Sequence, residues 1–152
     1  KQRLNLDNTS DKIKFLNALE SDLKYDRTLD FKKALKNKEL ELGVGATLLQ
    51  PKEKDIVGML FTMDMKYKGE DALRYSVIVT YFVEGWTADM HKASEDSIKD
   101  KEEVRKMLDV TVGFLRGSMF VHTKNSPLDG LTVPIISMDE LQKKLKIENV
   151  KP

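Results

Sequence analysis

The sequence predicts an α+β fold, with an antiparallel sheet followed by a long helix and a short C-terminal helix. Three observations support this prediction: apolar residues alternate with polar ones along three successive segments, a segment of helical period follows, and a second helix start comes near the end. Period two places side chains alternately on the two faces of a sheet, whereas a helix repeats every 3.6 residues. A sheet followed by helices is typical of α+β domains.

The three alternating segments predict strands that each have one apolar face. They cover residues 40–48, 57–67 and 73–83. Residues 68–71, Lys-Gly-Glu-Asp, separate the last two segments, and glycine tolerates the positive φ of a tight turn. The second and third segments are therefore predicted to form a hairpin.

An earlier segment, residues 13–25, fits two structures. Ile13, Leu16 and Leu23 fit the apolar stripe of a helix, and the period leans slightly towards helix. Ile13, Phe15 and Leu23 also fit a strand that is interrupted once. The residue pattern alone leaves both structures open.

A polar crossover loop is predicted at 86–99, followed by a long helix over 100–117. Asp100 and Glu103 have the spacing of a capping box, in which two side chains satisfy backbone N–H groups at a helix start. Gly117 is a common kind of helix stop.

The short C-terminal helix is predicted over 137–147. Pro134 cannot continue a helix and holds the residue before it extended. Ser137 and Glu140 then have the spacing of a second capping box.

Composition favours a single globular domain over residues 1–152 and excludes several classes of protein. The 26 basic and 25 acidic side chains give a net charge of +1, which favours neither a nucleic-acid-binding protein nor a polybasic membrane-surface protein. Zero cysteines exclude a disulfide scaffold and a thiolate zinc site. No apolar run approaches the roughly 18 residues of a membrane span, and the first residues lack the apolar region of a signal peptide. We therefore expect a cytoplasmic protein.

The residues offer no recognisable catalytic or metal-binding pattern. The two histidines, His91 and His122, are expected in polar loops and have no partner at the spacing of metal ligands or of a catalytic dyad. Gly43 and Gly45 lack the third glycine of a dinucleotide-binding loop. We therefore expect neither an enzyme nor a cofactor.

Apolar residues also occur on the predicted sheet face opposite the main apolar series. Leu60, Ile78 and Phe82 stand there among polar neighbours, and exposed apolar patches often mark binding surfaces. Trp86, at the end of the hairpin, is a further candidate anchor, and a packing role in the core or a loop is equally expected for it. The methionines of segment 57–67 are expected to face the core, although methionine also suits adaptable binding surfaces.

The C-terminal third resembles the end of the SecB export chaperones. The resemblance lies in Arg-Gly-Ser-Met-Phe at 116–120, Leu-Thr-Val-Pro-Ile at 131–135 and Ser-Met-Asp-Glu-Leu at 137–141, with residues 121–130 as an insertion. Upstream, Ser-Asp-Leu-Lys-Tyr at 21–25 looks like part of the family's first, bulged strand. The resemblance therefore favours a strand for the ambiguous early segment.

This resemblance implies a four-stranded antiparallel sheet, with the first strand at 11–30 and the others within 38–85. It also implies a long helix packed on one face of the sheet and a homotetramer built as a dimer of dimers. Such proteins hold unfolded secretory precursors in grooves without nucleotide or metal and deliver them to the SecA motor. Protein export by an ATP-independent holdase is therefore the expected function.

The predicted fold and the expected holdase function suggest two groups of candidate residues. We expect client contacts from Leu60, Ile78, Phe82, Trp86, Met119 and Phe120. We expect helix or subunit packing from Ile13, Phe15, Val104, Leu108 and Phe114. Two other functions stay open: a dedicated chaperone of one partner, such as an antitoxin, and an adaptor or structural protein of the same fold without chaperone activity.

Overall fold

The computed structural model describes residues 12–149, apart from the side chains of Ser21 and Asp22. Within that range it contains five strands and five helices, as expected for an α+β fold. The strands are β1 (Ile13–Tyr25), β2 (Leu40–Gln50), β3 (Ile56–Tyr67), β4 (Glu70–Val83) and β5 (Lys146–Asn149). The helices are α1 (Phe31–Lys36), α2 (Trp86–Lys92), α3 (Glu95–Lys99), α4 (Glu102–Thr123) and α5 (Met138–Lys143). No helix within 12–149 is long and apolar enough to cross a membrane.

The described strands form one sheet in the order β1-β4-β3-β2-β5. Strands β1 to β4 pair antiparallel, whereas β5 pairs in parallel with β2, from Thr47 opposite Lys146 to Gln50 opposite Asn149. The predictions of four strands and of a helix continuing to residue 147 are therefore wrong. The chain leaves the helix after Lys143 because extended backbone can satisfy the exposed N–H and C=O groups at the end of β2.

Strands β3 and β4 form the hairpin that the alternation predicts. Lys68 and Gly69 make the turn, with φ of 51° and 80°, the positive values that two-residue hairpin turns require. Pairs such as Phe61 with Val77 place the apolar series on one face of the sheet, where both side chains are buried. We call this face, which α4 covers, the inner face, and the opposite one the outer face.

Residues 13–25 are a strand with two bulges, which explains why their pattern is ambiguous. The register with β4 shifts between Phe15 and Asn17 and again between Glu20 and Asp22. Each bulge inserts a residue that breaks the period of two. After the first bulge, Leu19 points to the outer face, although Phe15 lies on the inner face.

The first strand ends at Tyr25 rather than at residue 30, and its predicted start at 11 lies outside the described residues. Asp26 accepts hydrogen bonds from the N–H and the hydroxyl of Thr28, which forms a turn. Asp30 then accepts the N–H of Lys33 at 3.1 Å and caps α1, a helix that the sequence did not predict.

The prediction of a crossover loop at 86–99 is also wrong, because these residues contain the two short helices α2 and α3. The hydroxyl of Ser94 caps α3 by accepting the N–H of Ser97 at 3.2 Å. Asp100 is the C-cap of α3 and not the N-cap of the long helix, which begins after Lys101 without a side-chain cap. Polar composition was mistaken here for the absence of helix.

Helix α4 packs along the inner face and is longer than predicted. It does not stop at Gly117, because an interior glycine costs a helix only about 1 kcal/mol and packing continues beyond it. Met119 and Thr123, in the last turns, are both buried. Tyr81 of β4 fastens the helix to the sheet by donating to the carbonyl of Met107 at 3.0 Å.

The C-terminal elements are tied to α4 by polar contacts. Ser137 caps α5, as predicted, by accepting the N–H of Glu140 at 3.3 Å. Arg105 of α4 pairs with Asp139 of α5. Arg116 donates to the carbonyl of Pro134 at 2.9 Å and so holds the extended segment that precedes α5. Residues 1–11 and 150–152 of the predicted single domain lie outside the described residues.

Candidate functional site

The outer face carries a row of apolar residues across three strands. Leu19 of β1 and Leu60 of β3 both pair with Ile78 of the intervening β4. Directly opposed residues of antiparallel strands lie on the same face with close Cβ atoms. Leu19 is 58% exposed, and Leu60 and Ile78 are half-buried, so the row is open to solvent.

A second apolar pair lies on the same face nearer the end of the hairpin. Ile56 pairs with Phe82, and both side chains are half-buried. The pair of Gly58 with Thr80 lies between the two rows on this face. The two rows together form what we call the outer-face patch, which consists of Leu19, Ile56, Leu60, Ile78 and Phe82.

Polar groups that bond to each other border the patch. The hydroxyls of Thr62 and Ser76 are 2.9 Å apart, and Nε of Arg74 lies 3.6 Å from the carboxylate of Asp64. Because these groups have partners within the sheet, an apolar occupant of the patch would not leave them unpaired.

The patch continues into a groove at the end of the hairpin, because Ile56 belongs to both. This groove, of about 630 Å³, lies between the β2–β3 turn, helices α2 and α3, and β5. We call it the crossover groove. Its apolar lining comes from Pro51, Ile56, Trp86, Met90, Ala93, Ile98 and Ile147.

Trp86 forms part of the wall of the crossover groove but is only 3% exposed. Its indole N–H is the one buried side-chain nitrogen or oxygen without a hydrogen-bond partner among the described residues. Met119, a residue of α4, is likewise buried. Both residues were expected to contact clients, and their burial corrects that expectation, because at 3% and 2% exposure they present almost no surface to a client.

Asp55 holds the start of α2 and with it Trp86. Its carboxylate accepts the N–H of Gly85 at 3.2 Å and of Thr87 at 3.0 Å. The bond from Thr87 is the main reason that the pKa of Asp55 is lowered. Gly85 has a φ of 76°, which permits the sharp turn from β4 into the helix.

The other predicted residues lie away from the patch. Phe120 is 73% exposed on α4, on the inner side of the sheet, so the structure does not bring it together with Leu60, Ile78 and Phe82. Val104 and Leu108, two of the candidates for packing, are buried on α4.

A second groove, of about 500 Å³, separates the edge of β1 from α4. Ile13 and Phe15 of β1 and Val110 of α4 line it, and Phe15 packs edge-on against Tyr81 with ring centroids 6.2 Å apart. Phe114, the remaining candidate for packing, is half-buried on α4. We call this the β1–α4 groove.

Sequence reasoning missed Leu19 and Ile56 as members of the patch. Ile56 lies four residues before Leu60 in β3, so the period of two places both side chains on the same face. The sequence pattern could therefore have identified Ile56 as a member of the patch. Leu19 reaches the outer face only because of the bulge after Phe15, for which the sequence gives no local sign.

Both histidines are exposed, but they lie on helices and not in the expected loops: His91 is in α2 and His122 is in α4. His91 lines the crossover groove, and Nε2 of His122 lies 2.7 Å from the carboxylate of Glu20. Within residues 12–149, no three His, Cys, Asp or Glu side chains come close enough together to hold a metal ion.

Comparison with known proteins gives matches only among solved structures. No protein-family model matches the chain, and no curated protein does. One matching structure is a Mycobacterium tuberculosis SecB-like chaperone in complex with a ChAD peptide from an antitoxin; it shares 11% identity over 82% of this chain and 91% of that chain, with a TM-score of 0.45. Another is a protein of unknown function from Streptococcus agalactiae, with 11% identity over 81% and 97% of the two chains and a TM-score of 0.42. Both scores lie below 0.5, so neither match is an argument for the function of this chain.

Proposed function

We propose that the protein is a cytoplasmic, ATP-independent holdase that binds unfolded polypeptides, secretory precursors among them. The observation that carries the proposal is the outer-face patch, an uncovered apolar surface that continues into the crossover groove. Soluble proteins seldom leave contiguous apolar patches open unless a partner covers them. Apolar side chains of an unfolded client would gain about 25 cal/mol for each Å² that they bury there.

The chemistry of the site suits clients of varied sequence. The patch offers aliphatic and aromatic side chains of several shapes, and Met90 in the groove is flexible enough to adapt to different neighbours. Neither feature selects a particular side chain, which supports a general holdase over a chaperone dedicated to one partner.

The proposal includes self-association through the β1–α4 groove. Phe15 and Val110 expose about half of their side chains there, and the rim carries charges of both signs, among them Lys106 and Asp109. A surface with both signs of charge can pair with a second copy of itself. Sedimentation velocity at several concentrations tests this, and Phe15→Asp with Val110→Asp should shift the protein towards the monomer.

The client-binding proposal is tested by light scattering during the aggregation of two unrelated denatured proteins, citrate synthase and rhodanese, without nucleotide. The wild-type protein should suppress aggregation of both. Leu60→Thr, Ile78→Thr and Phe82→Thr keep residues that favour strands but remove apolar surface, so the triple variant should lose most of the suppression. Leu35→Gln, which removes an exposed leucine from α1 instead, should retain it.

The same assay separates the alternative functions. Protection of neither protein by the wild type would overturn the general holdase and leave a dedicated chaperone or an adaptor. Equal activity of the triple variant and the wild type would place the client site elsewhere on the molecule. Delivery to the SecA motor, which the sequence resemblance implies, is tested by sedimentation of the protein with purified SecA.

A further inference from the structure

One edge of the sheet is left half uncovered. Strand β5 pairs with β2 only along Thr47–Gln50, and no other backbone group of residues 12–149 pairs with residues 40–46 on that side. In an antiparallel strand, every second residue directs its N–H and C=O away from its partner. Along 40–45, where each residue is exposed or half-buried, these groups therefore lack a backbone partner, whereas Ala46, next to the segment paired with β5, is buried.

The side chains of this edge leave its backbone accessible. Leu42 and Val44 pair with buried methionines of β3 on the inner face, yet are themselves 39% and 37% exposed, because α4 does not extend over them. Gly43 and Gly45 lie on the outer face, where a Cβ atom added to either would meet nothing within 4 Å. The edge thus presents backbone hydrogen-bonding groups beside two apolar side chains.

This edge also lacks the usual protection against pairing. Natural sheet edges are blunted by bulges, prolines and charged side chains. The opposite edge, β1, has two bulges, whereas β2 pairs with β3 in unbroken register from Leu40 to Leu49. Among residues 40–46, Glu41 is the one charged residue.

We propose that an extended segment of an unfolded client adds to β2 as a strand along residues 40–46, end to end with β5. This inference rests on the proposed holdase function and specifies how the protein would bind the client backbone. The chain itself uses the adjoining residues of this edge to bind a strand, so the client would continue an interface that already exists. A second copy has another surface available at the β1–α4 groove, where Phe15 and Val110 are exposed.

Recognition at this edge would depend little on client sequence. Strand addition derives its affinity from main-chain hydrogen bonds, which every extended segment without proline can form. The two glycines leave room for any client side chain on the outer face. On the inner face, Leu42 and Val44 would favour an apolar client residue at alternate positions.

Hydrogen exchange with a defined client tests the inference. The probe is reduced, carboxymethylated α-lactalbumin, which stays unfolded in buffer. At saturation, the amides of 40–46 that lack a backbone partner should exchange at least about tenfold more slowly, as expected when hydrogen bonds form. Amides of 47–50 that already bond to β5 should be unchanged.

A matched pair of variants gives a second measurement. Leu42→Lys with Val44→Lys places charges on an exposed edge and should weaken binding of the labelled probe by about tenfold, measured by fluorescence anisotropy. Leu35→Lys makes the same chemical change at a leucine of α1 that is 47% exposed, and should bind like the wild type.

The outcomes distinguish this inference from the holdase proposal. If the wild type binds the probe but 40–46 gains no protection and the edge variant binds normally, strand addition is wrong and the outer-face proposal stands. If the wild type does not bind the probe at all, both fall. Protection of 40–46 that rises with protein concentration in the absence of probe would assign the edge to a second copy and overturn the client as its occupant.

Discussion

Asp55 and Thr87 form two hydrogen bonds with each other between the β2–β3 turn and the start of α2. The N–H of Asp55 donates to the hydroxyl of Thr87 at 2.8 Å, and the N–H of Thr87 donates to the carboxylate of Asp55 at 3.0 Å. Trp86, between Thr87 and Gly85 in the chain, is thereby fixed against the core. The wall of the crossover groove thus depends on one carboxylate.

Replacing this carboxylate should loosen the groove. In Asp55→Ala, the N–H groups of Gly85 and Thr87 lose their acceptor, and the first turn of α2 should move away from the sheet. We expect the fluorescence of Trp86, the single tryptophan, to shift to longer wavelength. Asp89→Ala removes an exposed acid from the same helix and should leave the spectrum unchanged.

Because of the same carboxylate, we expect the protein to lose stability in acid. The pKa of Asp55 lies below its usual 3.8, chiefly because of the hydrogen bond from Thr87. A lowered pKa in the folded state contributes stability above pH 3.8, and this contribution is lost as the pH falls through the folded-state pKa. Urea unfolding followed through Trp86 should show this loss in the wild type. A slope that is equally steep in Asp55→Asn would contradict the assignment.

Tyr81 should contribute to stability through its hydroxyl. Tyr81→Phe removes its bonds to the carbonyl of Met107 and to Thr111, and should lower the free energy of unfolding by about 1 kcal/mol in urea titrations. Burial raises the pKa of Tyr81 to about 12 from 10. Because the folded state keeps this proton, stability should fall between pH 10 and pH 12, and less so in Tyr81→Phe than in the wild type.

The two faces of α4 should respond differently to truncation. Leu108 is fully buried against the sheet, so Leu108→Ala should lower the free energy of unfolding by about 2–5 kcal/mol. Val110 is two residues away but exposed, and Val110→Ala should change stability by less than about 0.5 kcal/mol at concentrations where the protein is monomeric. Equal losses in the two variants would mean that α4 does not pack in this orientation.

Glycine-to-alanine substitutions at two positions should change the free energy of unfolding in opposite directions. Gly85 has positive φ at the start of α2, so Gly85→Ala should destabilise the protein by about 1–2 kcal/mol. Gly117 is helical and has open space where a Cβ would lie, so Gly117→Ala should stabilise it by about 0.5–1 kcal/mol. Thermal unfolding at low protein concentration measures both. Destabilisation by Gly117→Ala would show that this face of α4 is covered.

Local pattern was sufficient for the central part of the fold. Strands β3 and β4 are joined by a short glycine turn, and their apolar series face the helix throughout, so periodicity and turn chemistry agree. The capping residue Ser137 was also identified, because its hydroxyl and the N–H of Glu140 are near in sequence. The cap joins residues that are close along the chain, and each strand keeps its alternation of apolar and polar residues without a break.

The features that sequence missed depend on distant partners. Residues 146–149 are mostly polar and become a strand only because β2 offers an unpaired edge. The outer-face position of Leu19 depends on a bulge that the register with β4 imposes. The sequence leaves Trp86 open as a surface anchor or a packing residue, because nothing local indicates that Asp55, 31 positions earlier in the chain, bonds to the residues on both sides of it.

The pairing of β2 with β5 has a consequence for synthesis of the chain on the ribosome. The two segments are separated by about a hundred residues, so β2 is translated long before the strand that caps its far end exists. During that interval the nascent polypeptide exposes the full length of β2 to other unfolded molecules, which is a condition for misassembly. Slow translation of the intervening helices would therefore favour aggregates seeded at Leu40–Gln50.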